Sequence, residues 1–250
     1  MGSGPIAASR VGPVGYRPSR ILLYATCYML RSHRTGIHAS PGAPKVREVL
    51  LWKEISYDLT AMDISARIRQ TLAQMRPRVI PSGYAKEAAV LMPIFERGGE
   101  PHFLLTLRTQ DVETHKGQIS FPGGMRHGHE DLEQTALRET HEEIGLEGRS
   151  IELLGRFHDY ISSTDYRVTP FVGHITESFD LALQPSEVAA VIEVPFRVFL
   201  DPARLRVEKM MLRSKLADVY FYDYDRHQIW GLTARIIHDF LAELAPAGRI

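Results

Sequence analysis

Residues 62–250 predict an α/β protein with a mixed β-sheet held between α-helices. Three observations carry that prediction. Short apolar runs bounded by Gly, Pro, Asp and Ser recur along the chain, far outnumbering segments of helical period. Only two or three segments carry a substantial 3.6-residue apolar stripe. No repeat or low-complexity stretch interrupts 62–250, so one domain is expected.

The elements follow in order. Ile64, Ile68, Leu72 and Met75 make one stripe, predicting a helix over Asp63 to Met75, capped by Asp63 and ended near Pro77. Ala88 to Phe95 reads as a buried strand, and Pro93 places part of it at an edge or bulge. Glu96 to Glu100 is a glycine-bearing turn and His102 to Leu107 the returning strand of a hairpin. Gln118 to Phe121 is a third short strand, stopped by Pro122-Gly123-Gly124.

Asp131 to Ile144 reads as a helix, with Leu132, Ala136, Thr140 and Ile144 facing the core and Gly145 as C-cap. Ile151 to Tyr160 and Tyr166 to Ile175 are strands around a Ser162–Asp165 turn. Val188 to Val194 is another, followed by a helical turn over Phe196 to Leu200. Leu205 to Leu212 and Val219 to Tyr224 form a hairpin, and His227 to Trp230 is a brief strand with Trp230 in the core. Leu232 to Leu244 is an amphipathic helix with Ile236, Ile237, Phe240, Leu241 and Leu244 inward.

Residues 1–61 are different. Up to Arg47 there are seven basic residues and no acid, which leaves 23 basic against 30 acidic residues in 48–250. The apolar run Ile21 to Leu30 is too short for a membrane helix, which needs roughly 20 apolar residues. This stretch reads as a disordered extension, or as sequence upstream of a start at Met62; its Arg- and Ser-rich, acid-free composition also resembles an organelle transit peptide. A cytoplasmic protein is expected, or a mitochondrial one on the transit-peptide reading.

Thirty basic and thirty acidic residues balance overall, so charge gives no sign of a nucleic-acid or membrane partner. A small-molecule substrate is expected, with a homodimer left open. The single cysteine, Cys27, excludes a disulfide framework within one chain.

The chemistry gathers on the helix over Asp131 to Ile144. Glu143 lies about 40° from Glu139 around the helix axis, and Glu142 about 60° to its other side. Three carboxylates thus share one wedge beside the buried face. Like charges at this spacing cost roughly 0.2–0.5 kcal/mol per pair, and the helix dipole disfavours acids in the last turn. A hard divalent cation would offset both; a solvated acidic face paired with surface lysines is the alternative. Gly123 and Gly124 permit an unusual turn whose carbonyls can face a cation, and Arg138 can hold a glutamate by a bidentate pair. Glu130 reads as an ordinary helix-start acid.

Gly124, Glu130, Arg138, Glu139, Glu142, Glu143 and Gly145, at these spacings, resemble the signature of the Nudix hydrolases. Only Thr140 departs, standing where an aliphatic residue is usual. The resemblance implies the Nudix fold, a mixed sheet sandwiched between α-helices, with the signature as loop, helix and loop. It also implies Mg²⁺ or Mn²⁺ held mainly by Glu139 and Glu143, with Glu142 as further ligand or part of the base machinery. Arg138 would orient the cluster and the Gly123 carbonyl would add a metal contact. On this reading the reacting centre is served by Glu139, Glu142 and Arg138.

The signature does not choose the substrate, but the run before it bears on that choice. Leu104 to Thr109, then His115-Lys116-Gly117-Gln118 before Phe121-Pro122-Gly123-Gly124, look like the extra signature of the coenzyme A diphosphatase branch. Further matches reach from Lys86 to Leu244. Arg108, His115 and Gln118 would then contact substrate. Val112-Glu113 stands where the branch has a leucine-arginine pair, so Glu113 reverses a charge. The function implied is hydrolysis of the diphosphate of coenzyme A or acyl-CoA to 3′,5′-ADP and (acyl)phosphopantetheine. The alternatives are a Nudix hydrolase of another nucleoside diphosphate derivative and a non-catalytic nucleotide-binding module. Glu187, ahead of an apolar strand, reads as a loop acid, with a metal ligand or base as its functional reading.

Overall fold

The computed structural model describes residues 63–81, 86–109, 117–212 and 215–244. These lie in one compact unit. The expectations for residues 1–61 and for His115, Val112 and Glu113 fall outside the described residues.

Helix α1 (Ile64–Gln74) starts where expected: the Asp63 carboxylate accepts from the N–H groups of Ser65 and Ala66. Strands β1 (Glu87–Arg97) and β2 (Glu100–Arg108) follow. Their two-residue turn, Gly98-Gly99, has φ of 62° and 77°, a conformation that glycine adopts without strain. The hairpin pairs only from Ile94↔Phe103 to Arg97↔Glu100 and then splays. Strands β3 (Ile119–Ser120) and β4 (Gly123–Met125) fill the opening, β3 on β2 and β4 on β1. The glycines expected to stop a strand therefore form one themselves, inside the sheet.

The fork also explains Pro93. β1 is not an edge strand, because it pairs in parallel with β7 (Arg167–Ile175) along its length. On its other side Leu91 N–H donates to Pro122 O at 2.9 Å. Backbone groups alternate along a strand, so Pro93 presents its missing donor to that same side, at the fork.

The rest of the main sheet comprises β5 (Ile151–Arg156), β6 (Tyr160–Ile161) and β8 (Val188–Pro195). Its spine runs β3-β2-β1-β7-β5, with β4 on β1, β6 on β7 and β8 on β2. A second, antiparallel sheet of β9 (Leu205–Leu212), β10 (Lys215–Tyr224) and β11 (His227–Trp230) was not foreseen as separate. Helices α2 (Leu132–Ile144), α3 (Phe196–Leu200) and α4 (Gly231–Glu243) complete the elements. Among the described residues no helix is long and apolar enough to cross a membrane.

The alternation along β1 separates two cores. Met92 and Ile94 face a cluster with Ile64 and Ile68 of α1, Phe196 and Phe199 of α3, and Ile237 and Phe240 of α4. Ala89, Leu91 and Phe95 face the other, with Ala136 and Ile144 of α2. The mixed sheet is thus sandwiched between helices. Phe103, fully buried, meets the rings of Phe121, Phe196, Phe199 and Phe240. Burying such a ring contributes about 1.5–3 kcal/mol. Trp230 corrects the expectation of a core residue: it is 39% exposed and stacks on Phe221 at 5.8 Å between ring centroids.

Candidate active site

Helix α2 positions most of the candidate residues. Ala136, Thr140 and Ile144 are buried, as the stripe required. Thr140, the one departure from the signature, is fully buried, and its hydroxyl donates to Ala136 O at 2.7 Å. That bond satisfies the only polar atom it adds to the core. Gly145 takes φ 73° and its N–H donates to His141 O, the expected left-handed C-cap.

The three carboxylates of the wedge have different surroundings. Glu142 is exposed, Glu139 half-buried and Glu143 buried at 4% exposure. Arg138 ties the first two together. Its Nη1 donates to Glu139 Oε1 and to Glu142 Oε2, each at 2.9 Å. Its Nε and Nη2 donate to the two carboxylate oxygens of Glu130 at 2.9 and 3.1 Å, and Nη2 also reaches Met125 O. These contacts hold the Arg138 guanidinium between Glu130 and the two helix carboxylates. Glu130, read from sequence as a simple helix-start acid, is also bonded by Thr135 Oγ1 and by His127 N–H. The Arg138 hydrogen bond is the first cause of a carboxyl pKa pulled down to about 2.

The two glycines matter for different reasons. Gly123 N–H donates to Glu143 Oε2 at 3.3 Å, and its φ of 152° suits glycine. Gly124 lies directly under Glu139, where a Cβ would occupy the space of the carboxylate itself. The sheet fork and α2 thus bring Gly123, Gly124, Glu139 and Glu143 together.

Arg108 enters from the end of β2. Its Nη1 lies 3.6 Å from Glu143 Oε1, an ion pair too long for a hydrogen bond, and its Nε is buried without a partner. Gln118 flanks it, its backbone carbonyl accepting from Arg108 N–H at 3.0 Å. Glu187 also faces this region: Thr109 N–H donates to its carbonyl, and its negative charge helps raise the pKa of Glu143.

Glu143 is the electrostatic centre of the site. Burial pushes its carboxyl up to about 7, opposed by Arg108 and the Gly123 N–H and assisted by Glu187 and Glu139. A carboxylate buried with such partial compensation fits a cation bound beside it. The donors are hard oxygens, which suit Mg²⁺ or Mn²⁺ better than softer metals. Among the described residues no three His, Cys, Asp or Glu side chains converge as a finished cage. Mg²⁺ needs none, because it is commonly held by one or two carboxylates with waters and substrate phosphates. The residues present therefore fit a divalent cation held by Glu139 and Glu143, with Glu142 at the rim.

This carboxyl also sets a pH dependence. Its folded pKa of about 7 exceeds the ordinary 4.5, so between those values the folded state holds more protons than the unfolded one. Glu143 is therefore expected to cost metal-free protein on the order of 3 kcal/mol as pH rises from about 4.5 to about 7, while the buried His238, whose pKa is lowered to about 4 by burial, acts in the opposite direction up to about pH 6.5. Thermal unfolding in chelator of wild type and Glu143→Gln across that range isolates the Glu143 contribution; a Tm difference between the two that stays constant with pH there would contradict it.

A cavity of about 820 Å³ opens at the far end of β1, lined in part by Phe95, Arg97 and His174. No carboxylate of α2 lines it, so it is separate from this chemistry.

The NUDIX domain profile matches residues 85–214. Among curated proteins, the chain is 38% identical over 160 residues to the uncharacterized Nudix hydrolase NudL of Photorhabdus laumondii, covering 64% of this chain and 85% of that one. It is 33% identical over 247 residues to the chloroplastic Nudix hydrolase 22 of Arabidopsis thaliana, covering 95% of this chain and 77% of that one. NudL of Enterobacter sp. is 32% identical over 190 residues, covering 76% and 97%.

Proposed function

The chain belongs to the NUDIX domain family, whose relatives here are Nudix hydrolases, and from that premise we propose that it cleaves the diphosphate of coenzyme A or an acyl-CoA. Water adds to phosphorus, the P–O–P anhydride bond breaks, and 3′,5′-ADP and (acyl)phosphopantetheine leave. A bound divalent cation supplies neutralisation of the diphosphate and a more acidic attacking water.

The observation that carries this reading is Arg108. It lies in the run that resembles the coenzyme A diphosphatase branch, and it projects beside Glu143 with a buried, unpartnered Nε. A guanidinium with spare donors suits an anionic phosphate oxygen. Gln118 belongs to the same run and lies beside it through the Arg108 N–H bond to its carbonyl. Glu139 and Glu143 supply the carboxylates for the cation, with Glu142 and the Gly123 carbonyl as further candidates. Glu142, the most exposed of the three, is open to water that must lose a proton. The rate enhancement then comes mostly from positioning and from charge stabilisation at phosphorus.

Pure protein incubated with coenzyme A and Mg²⁺ or Mn²⁺ is expected to release 3′,5′-ADP. Absence of that product alongside good turnover of ADP-ribose or a dinucleoside polyphosphate would reject the coenzyme A reading and leave the hydrolase class standing.

A further inference from the structure

A chain of alternating charges runs back from α2 into the sheet. Arg138 holds Glu139 and Glu142, and Glu130 holds Arg138. The Glu130 carbonyl in turn accepts from Arg126 Nε at 2.6 Å. Arg126 Nη1 donates to Glu87 Oε2 at 2.5 Å, and Arg126 N–H to Glu87 O at 2.9 Å. The other Glu87 oxygen accepts from Arg167 Nη2, and Arg167 Nη1 donates to Ile80 O at 2.8 Å. The residues alternate in sign, Arg167, Glu87, Arg126, Glu130, Arg138 and then the helix carboxylates, and every link joins charged side chains except that from Arg126 to Glu130, which uses the Glu130 backbone carbonyl. The side chains of Glu87 and Arg167 are only 15% and 10% exposed.

The place of Arg126 in this chain is specific. The segment from Arg126 to Glu130 has no regular structure and contains Gly128 at φ 55°. Three donors of one residue, its backbone N–H, Nη1 and Nε, pin both ends of that segment, one end to β1 and the other to Glu130. Without them, the start of α2 would lose its tie to β1, and the Glu130 carboxylate, bonded by His127 N–H, Thr135 and Arg138, would move out of place with it. Arg138 takes its orientation from Glu130, so the error would pass to Glu139 and Glu142.

We propose that Glu87 and Arg126 are positioning residues for Glu139 and Glu142 of the cation site, acting through Glu130 and Arg138. This rests on the reading of Glu139 and Glu143 as the cation site. Residues that orient ligands from behind commonly carry about 10–100-fold in metal affinity or activity.

The test compares wild type with Arg126→Met, which keeps the aliphatic stem and the backbone N–H bond and removes the two side-chain donors, and with Glu87→Gln, which keeps size and removes charge. Three quantities are read: Mn²⁺ affinity from titration followed by electron paramagnetic resonance, kcat and KM on whichever nucleotide the wild type turns over, and Tm. Arg126→Met is expected to weaken Mn²⁺ binding and lower kcat, each by about 10–100-fold, with KM near wild type. Adding Glu87→Gln to Arg126→Met is expected to do little more, because both cut the same chain. Should Arg126→Met fail to fold, Glu87→Gln alone carries the same expectation. Wild-type Mn²⁺ affinity and kcat in folded variants, with only Tm lowered, would overturn the proposal and leave the hydrolase reading untouched. Wild-type protein that binds no Mn²⁺ would instead overturn the metal reading and the proposal with it.

Discussion

Glu143→Gln is expected to abolish turnover while the protein stays folded. The Glu143 side chain is 5% exposed, with one oxygen on the Gly123 N–H and the other facing Arg108. Glutamine has the same shape, and its carbonyl oxygen still accepts from Gly123. What disappears is the negative charge. The effect of bound metal on charge at phosphorus is several kcal/mol, so a cation lost or misplaced removes roughly 10²- to 10⁴-fold in kcat. Stability should move the other way, because the wild-type carboxylate is costly to ionise where it sits. Metal-free Glu143→Gln should therefore unfold at least as high as wild type above pH 7, and its advantage over wild type should grow between about pH 4.5 and pH 7. Kinetics and thermal melts on the same preparation check both halves. Undiminished activity would remove Glu143 from the reacting centre.

The two adjacent glycines are expected to fail in different ways when changed to alanine. At Gly123 a Cβ would press on backbone, the Ala89 carbonyl and, at 2.6 Å, Val90 Cα. With φ at 152° the backbone itself resists a side chain. Neither neighbour can swing aside, because both belong to the central strand β1. Gly123→Ala should lower stability by about 2–4 kcal/mol, the sum of overpacking and backbone strain, and activity with it. At Gly124 the three atoms nearest the added Cβ would all be those of the Glu139 carboxylate, the end of a flexible side chain. Gly124→Ala should therefore melt close to wild type and yet lose activity, by about tenfold or more, as Glu139 is pushed off its place. Melting curves and kcat for the two variants decide this. Equal losses of stability would contradict the assignment of Glu139 to the space above Gly124.

The contrast between these glycines shows what local sequence encodes. The carboxylate wedge was legible because one helix holds it: a fixed angular spacing places Glu139, Glu142 and Glu143 without knowledge of the rest of the fold. The Asp63 cap and the Gly145 stop were legible for the same reason, since each is a property of a few consecutive residues. The fork between β1 and β2 was not. Its cause is non-local: Ile119 to Met125 pairs with both strands, and nothing in the alternation of that short stretch announces two partners. Pro93 therefore reads in the sequence as an edge or bulge signal, and in the structure it lies at the fork.

The charged chain behind the site was hidden in the same way. Glu87 lies 39 residues from Arg126 and 80 from Arg167, and each looks like an ordinary surface charge in sequence. Glu130 had a sufficient local explanation as a helix-start acid, which concealed its hold on Arg138. Trp230 failed differently. Its ring is large and apolar, yet the second sheet gives it a place on its face, over Phe221, with one side open.

The central claim is that the buried end of the wedge holds a divalent cation where the diphosphate reacts. Crystals soaked with Mn²⁺ and measured for anomalous scattering test it most directly. The account predicts a peak within ligand distance of the Glu139 and Glu143 carboxylates and beside Gly123. A fully active protein whose Mn²⁺ binds elsewhere, with no peak at those two carboxylates, would contradict it.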